Sequence, residues 1–533
     1  MTRQALYVAL AALVLFLLGA HGSSVVGFDS RFVLFAKEML RHGSGFFPTT
    51  YGEPYPDYPA TSTFLTYLLS LPLGRVDLFT AWLPTALAAA ATVGLTYRLV
   101  APLSRRWALL SVAMLLLTAT FLSETRAVSL DLQVAAVGML AFFFAVHAER
   151  YSSLGLLARL LPLMLVGFAL RGPLGLVVPA GMVCSQLLLD RQWRRLLGFS
   201  LCALLILVAC TVLLLAMARA VGGEVFAVDV LHMQVTGRLD GSAGASGVLY
   251  YFNSSLGNYA LAFPLAVPAL ALLWRRRGDP AARLVIGCAL AALVVMVGLS
   301  VPQAKKARYI LAMAPLAAIV ATYPFYVSDR RLAVVLQRVL QGLWLVLPAL
   351  MLLGIGLGWR RYPQALQALG LQVWLCVGGL VVLQLFSLFR LLRQERRAEL
   401  IALSAVLALW GGYILVVEPV ERQLYDSREF SLQVDATVAG NPAPLVLYSM
   451  GRDARAIKFM VNLDHDMQPL FAEQPAQLAA IQGPYYLMLD EKRATSLKAA
   501  YPALGAPVLA GNFDNDRYCL LYVTDTGVFG AAQ

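Results

Sequence analysis

Three cations crowd the stretch PQAKKARYILAMAP, residues 302–315, where Lys305, Lys306 and Arg308 stand between two long apolar runs. Two ammonium groups and a guanidinium at one spot can neutralise a phosphate through charge-assisted hydrogen bonds. The other reading is a helix end whose cations snorkel to lipid headgroups. Carboxylates are the complementary half of such chemistry. Asp29 opens DSRFVLFAKEMLR, where it either caps a helix or takes a proton from a hydroxyl. Asp57, in YPDYPATS, is either a turn residue or a second acid, in a stretch stiffened by Pro54, Pro56 and Pro59. Tyr51, Tyr55 and Tyr58 in the same stretch can stack on sugar faces or sit at headgroup depth. His232, in VLHMQVTG, is a polar loop residue or, with Asp57, half of a metal site; two ligands alone make a weak one.

These residues must be held by a membrane protein. The 533 residues are 59% hydrophobic and 14% charged, with a mean hydropathy of +0.71, which excludes a soluble globular chain of this length. The net charge of +12 is mostly loop arginine, so topology explains it and nucleic acid does not. The first apolar run, ALYVALAALVLFLLGA, follows Arg3 and lacks a small-residue cleavage site, so it reads as a retained helix. Apolar segments begin near residues 5, 79, 107, 130, 155, 173, 196, 258, 282, 309, 332, 370 and 399, about 13 helices in all. With the N-terminus inside, the inner connections hold Arg105, Arg106, Arg150 and the runs DRQWRR, WRRRGDPAAR, SDRR and RLLRQERR. The KKAR gap then falls outside, as do all six lysines of the chain. Arg171 in RGPLG and the pair Arg360–Arg361 are further outer-side cations. The six cysteines show neither a zinc spacing nor a CxxC motif.

Residues 1–420 therefore form a transmembrane domain, with amphipathic outer-loop helices expected within 29–75. Apolar residues at helical spacing between Ser30 and Arg41 predict a helix lying in the membrane interface. The run TFLTYLLSLPLG reads as a second surface or re-entrant helix. From 421 to 533 the composition changes, and PLVLYSM, YYLMLD and RYCLLYV predict strands of a small extracytoplasmic α/β domain. It carries no nucleophile elbow, P-loop or HExxH, and reads as a lid or docking platform.

The whole pattern resembles the GT-C membrane glycosyltransferases, in the branch of the lipid A aminoarabinose transferases (ArnT) and protein O-mannosyltransferases. The resemblance is carried by Asp29 before a surface helix, by Arg126 and Asp131 in SETRAVSLDL, and by Lys305 and Tyr309 in KKARYILAMAP. It implies a fold of about 13 spans with a small outer C-terminal domain, and transfer of a sugar from a polyprenyl (undecaprenyl) phosphate donor lipid. The acceptor would be lipid A, another envelope glycan or a protein, at the periplasmic face of a bacterial inner membrane. Asp29 matches the family's catalytic acid, with Asp57 as its companion. Donor phosphate falls to Lys305, Lys306, Arg308, Arg126 and Tyr309; Tyr55, Tyr58, Asp131 and His232 are left for acceptor or sugar. A lipid phosphodiester is a leaving group that needs no metal in principle. Two positions depart from the family pattern: Ser30 replaces a second acid, and Tyr58 replaces a phosphate-holding lysine. The competing classes are a lipid-linked glycan polymerase or ligase and a lipid or sugar transporter, although no repeated halves are visible.

Overall fold

The computed structural model describes all residues except 1–2, 21–24, 26, 28, 57–58, 243, 274–277, 328–329, 393–397, 525–528 and 530–533. Asp57 and Tyr58 thus lie outside the described residues. The chain opens with α1 (Arg3–Leu17), α2 (Asp29–His42), α3 (Phe64–Ser70) and α4 (Leu78–Val100). Then come α5 (Arg105–Leu116), α6 (Ala119–Thr125), α7 (Leu130–Val146), α8 (Ser153–Leu189) and α9 (Trp193–Leu231). Small polar residues start several of them: Asp77, Ser104, Ser129 and Ser152 each accept a backbone N–H of the first turn, which is why polar punctuation precedes each apolar run.

Seven described helices are long and apolar enough to cross a membrane, or nine if each sharply bent pair is one span. The expected total of about 13 also needs the shorter apolar helices 3–17, 130–146 and 313–325 to cross, and α8 to count twice. The last condition has a physical basis. Backbone angles break at Arg171 (φ −145°) and Gly172 (φ 60°), and Gly167 lies against Gly175 so closely that a Cβ on either would fall 2.0–2.1 Å from the other's carbonyl oxygen. Eight residues of straight helix would separate them by about 12 Å. The segment is a hairpin with Arg171 at its apex.

Among its described residues the C-terminal domain contains five strands: β1 (Leu445–Tyr448), β2 (Leu470–Ala472), β3 (Tyr485–Asp490), β4 (Leu509–Phe513) and β5 (Asp516–Val523), in the order β2-β1-β3-β5-β4. β1 runs parallel to β2 and β3; β5 is antiparallel to β3 and β4. The three expected strands are the central ones. β2 and β4 were not expected, and both are edge strands with exposed positions, so neither shows a continuous apolar run. Period-two alternation splits the sheet cleanly. Val446, Leu487 and Leu489 pack with Leu497 on one face. Leu445, Leu447 and Met488 share the other face's core with Phe32 and Phe35 of α2.

That shared core corrects one expectation. α2 does not rest its apolar stripe in the membrane interface: Phe32, Phe35, Ala36 and Met39 are buried inside the protein, against the sheet domain and the start of α4. Amphipathicity shows that a stripe is covered, not by what. Polar contacts fasten the same joint. Lys37 Nζ lies 2.9 Å from Asp464 Oδ1, Arg41 Nη1 lies 3.2 Å from Asp466 Oδ1, and Arg31 Nη2 donates to the Asp453 carbonyl at 3.1 Å. The segment that does expose leucines is α3 with the turn after it, through Leu65, Leu68, Leu71 and Leu73.

α2 and the sheet domain therefore occupy one end of the helical bundle. The arginine-rich connections predict that this end is extracytoplasmic. Alkaline phosphatase fused after Tyr425 is expected to be active; an inactive phosphatase with an active cytoplasmic reporter at that site would reverse the sidedness.

Candidate functional site

Several charged residues converge where the N-terminal ends of α4 and α7, the C-terminal end of α6 and the bend of α8 meet α2 and the KKAR gap. Asp131 sits in the first turn of α7, just after the cap Ser129, and is buried. Its Oδ1 lies 2.6 Å from Nε of Arg171, at the hairpin apex, and its Oδ2 lies 3.2 Å from Nε of Arg308. One carboxylate thus serves two guanidiniums. The Arg171 guanidinium also lies 5.2 Å from the ring centre of Tyr309.

Lys306 stands beside this pair with its side chain exposed. Desolvation first, then the charges of Arg308, Arg171, Arg31 and Arg238, hold its ammonium below the ordinary lysine range. Like charges crowd here because the backbone forces them together. Tyr259, just past the helix Tyr250–Asn258, donates to the Ala307 carbonyl at 2.8 Å and so pins the gap. Lys305 turns the other way: it is buried, and its Nζ donates to the Ser246 carbonyl at 3.0 Å.

The second centre is Asp29, at the start of α2. Trp82 Nε1 donates to its Oδ2 at 3.3 Å, and the Val128 N–H donates as well. Desolvation outweighs these bonds and pushes its carboxyl up to about 7, with Glu124 adding to the rise and Arg422 opposing it. Glu124, on α6, is within electrostatic reach of both Asp29 and Asp131, so it bridges the two centres. Trp82 is itself clamped: the guanidiniums of Arg126 and Arg422 lie 4.4 and 4.6 Å from its ring.

Arg126 belongs to this clamp rather than to the cation cluster. Its Nε and Nη2 reach the Glu418 carboxylate at 2.8 and 3.0 Å, its Nη1 donates to the Phe16 carbonyl at 2.6 Å, and Arg422 pairs with the same Glu418. Tyr55 is also inward: it is buried, with Phe35 5.4 Å away and the Arg31 guanidinium 5.4 Å from its ring. No face is left to stack on a sugar, because the chain needs Tyr55 to pack α2. His232 is exposed at the start of a π-helical turn, with its ring nitrogens facing Thr236 and Ser242. No group of three His, Cys, Asp or Glu gathers among the described residues. Arg360 and Arg361 are exposed at the end of helix Arg331–Arg361 and, among the described residues, make no contact with either centre.

Sequence reasoning passed over Trp82, Glu124 and Glu418. Glu418 had a signal: it is an acid closing the apolar run GGYILVVEP, and ionisable residues in such runs usually have a buried partner.

No protein-family model matches this sequence. No curated protein matches it either. Among solved structures, the chain is similar to the crystal structure of ArnT from Cupriavidus metallidurans bound to undecaprenyl phosphate, at 16% identity over 99% of both chains, with a TM-score of 0.70. It is similar to the apo form of that protein at 17% identity over 98% of both chains, also with a TM-score of 0.70. The chain shares the fold of that ArnT over nearly its whole length, as the resemblance in its sequence implied.

Proposed function

We propose that this protein is a membrane glycosyltransferase that moves a sugar from a polyprenyl-phosphate donor to an envelope acceptor on the outer face of the membrane. The observation that carries the reading is the cation cluster: Arg171 and Arg308 on a single shared carboxylate, with Lys306 beside them, joined through Glu124 to an acid, Asp29, whose carboxyl burial pushes up to about 7. Asp131 holds two of these cations side by side, with Glu124 in electrostatic reach of both, and a group of cations fixed in this way binds phosphate oxygens through charge-assisted hydrogen bonds. In support, the similar ArnT structure holds undecaprenyl phosphate.

The reaction follows from the charges. The acceptor oxygen attacks the anomeric carbon while the bond from that carbon to the phosphate oxygen breaks, its electron pair leaving with the phosphate. Fixed cations in a water-poor site stabilise the charge that develops there, and such preorganised charge is commonly the largest catalytic effect. The proton of an acceptor hydroxyl passes to the Asp29 carboxylate. Glu124 keeps that carboxylate basic by repulsion.

The direct test is transfer of radiolabelled sugar from its polyprenyl phosphate by the purified protein. Transfer to endogenous lipid or glycan acceptor supports the reading, whereas vectorial movement of the intact lipid without transfer makes the protein a transporter. Within an active enzyme, Lys306→Ala and Arg308→Ala are each expected to lower kcat/KM for donor at least about tenfold, roughly 1.4 kcal/mol, with unchanged melting temperature. Lys305→Ala is expected to act through the Ser246 loop and lower thermal stability instead. Normal kinetics in both Lys306 and Arg308 variants would make those cations membrane anchors.

A further inference from the structure

A cavity of about 740 Å³ lies between the second half of α2, the turn entering α4 and the sheet domain, apart from the cation cluster described above. Among the described residues its polar wall holds Lys37, Arg41, Arg75 and Arg428 against Asp77 and Asp464, and Arg41 is paired with Asp466 beyond the wall. Both acids are already engaged. Asp464 pairs with Lys37 at 2.9 Å, and Asp77 caps α4, accepting the Thr80 N–H at 2.8 Å. Arg75 and Arg428 are exposed, and neither guanidinium makes a hydrogen bond or ion pair among the described residues. The wall therefore carries a surplus of positive charge. Burial in this wall, reinforced by Arg41 and Arg428, draws the Lys37 ammonium below its ordinary range in spite of Asp464.

The cavity's place is as informative as its charge. Val33, in its wall, is one turn from Asp29 on the same face of α2, and Leu78 is one turn before Trp82, the residue that donates to Asp29. Lys37 is two turns from Asp29, about 12 Å along the helix axis. Gly74, on its other side, follows the exposed Leu71 and Leu73, which puts the cavity beside a segment suited to lipid contact.

We propose that this cavity is the acceptor subsite, holding an anionic group (phosphate or carboxylate) of the acceptor and presenting a hydroxyl of the same molecule to Asp29. It rests on the glycosyltransferase reading for the word acceptor, but not for the binding of the anion. An acceptor that fits carries its charge and its reacting hydroxyl a few sugar units apart. Lys37 and Arg41 also fasten the sheet domain, so their replacement would confuse binding with folding; Arg75 and Arg428 do not.

The test uses the full chain and the double variant Arg75→Glu/Arg428→Glu, with Arg361→Glu as a surface-charge control. In neutral detergent, inorganic phosphate is titrated and the rise in melting temperature is followed. In parallel, the proteins are placed in phosphatidylcholine nanodiscs with or without phosphatidic acid. The parent and the control are expected to be stabilised by phosphate with the same midpoint, and the double variant to need at least tenfold more. Stabilisation by phosphatidic acid but not by free phosphate, lost in the double variant, would assign the anion to a lipid-borne acceptor; stabilisation by both assigns it to the anionic group alone. Equal responses of parent and double variant to both probes overturn the site. If the anion response is lost in the double variant but no sugar transfer exists in the parent, the transferase reading fails while the anion site stands. In an active enzyme the double variant is expected to raise acceptor KM at least tenfold; a change confined to donor KM would overturn the assignment.

Discussion

Replacing Asp29 by asparagine is expected to lower sugar transfer by about 10²- to 10⁴-fold, the range that a positioned general base contributes, and to leave the fold intact. The amide keeps an oxygen for the Trp82 and Val128 donors, so the local hydrogen bonds survive. Stability argues the same way. A carboxyl whose folded value is raised from 3.8 to about 7 adds stability that is fully present below 3.8 and is lost as pH rises through about 7. Above that pH the parent keeps an ionised carboxylate in a poorly solvated place and the asparagine variant does not, so the variant should melt no lower than the parent at pH 8. Activity has the opposite slope. The base must be ionised, so kcat/KM should rise with pH through about 7 and level off, and the residual activity of the variant should lose that step. A variant within threefold of the parent would reduce Asp29 to a helix cap. A parent whose rate ignores pH across this window would leave Asp29 as an orienting group, as suits an acceptor that attacks through an already ionised phosphate.

The second large effect lies behind Asp29. Glu418 is the buried counter-charge of both Arg126 and Arg422, and these two flank the indole that donates to Asp29. Glu418→Gln leaves two guanidiniums with a neutral partner, and breaking a buried pair in this way costs about 3–5 kcal/mol. A clear fall in melting temperature is expected, together with lower turnover as Trp82 loses its clamp. The companion variant Glu418→Gln/Arg422→Met removes one of the stranded cations and should recover part of the stability, by the non-additivity that coupled sites show. A single variant that melts with the parent would show that the network contributes nothing to the fold.

Much of this arrangement was legible before any coordinates. The alternation of apolar runs with arginine-rich connections gave the membrane class, and the starts of α4, α5, α7 and both legs of α8 fall close to where those runs begin. The helix Asp29–His42 matched its amphipathic pattern, but the identity of its covering layer did not, because the sheet side of that layer comes from residues more than 400 positions away. Arg308 and Tyr309 gather with Lys306, but Asp131, expected at the acceptor or sugar, is instead the counter-charge that Arg171 and Arg308 share. Arg171 was the least legible of the cluster. Its importance comes from a chain reversal in the middle of a 37-residue apolar stretch, and RGPLG signals a break without saying that two legs fold back together. Lys305 and Lys306 are indistinguishable in sequence; only the turn of the backbone sends one to the Ser246 carbonyl and the other to the cluster. Glu418 and Trp82 join the site from opposite ends of the chain, a convergence that no local pattern encodes.

The closeness of Gly167 to Gly175 decides which positions of this stretch are free to vary. At either one, even a methyl group would occupy the place of a carbonyl oxygen, so only hydrogen fits. Two residues away on each leg, Leu165 and Val177 face outward, 48% and 43% exposed, where any apolar side chain of similar length serves. A saturation scan of residues 160–180 would thus record two positions closed to every substitution and flanked by permissive ones. Its tolerance profile alone would locate the crossing of the two legs and, midway between them, the arginine they carry.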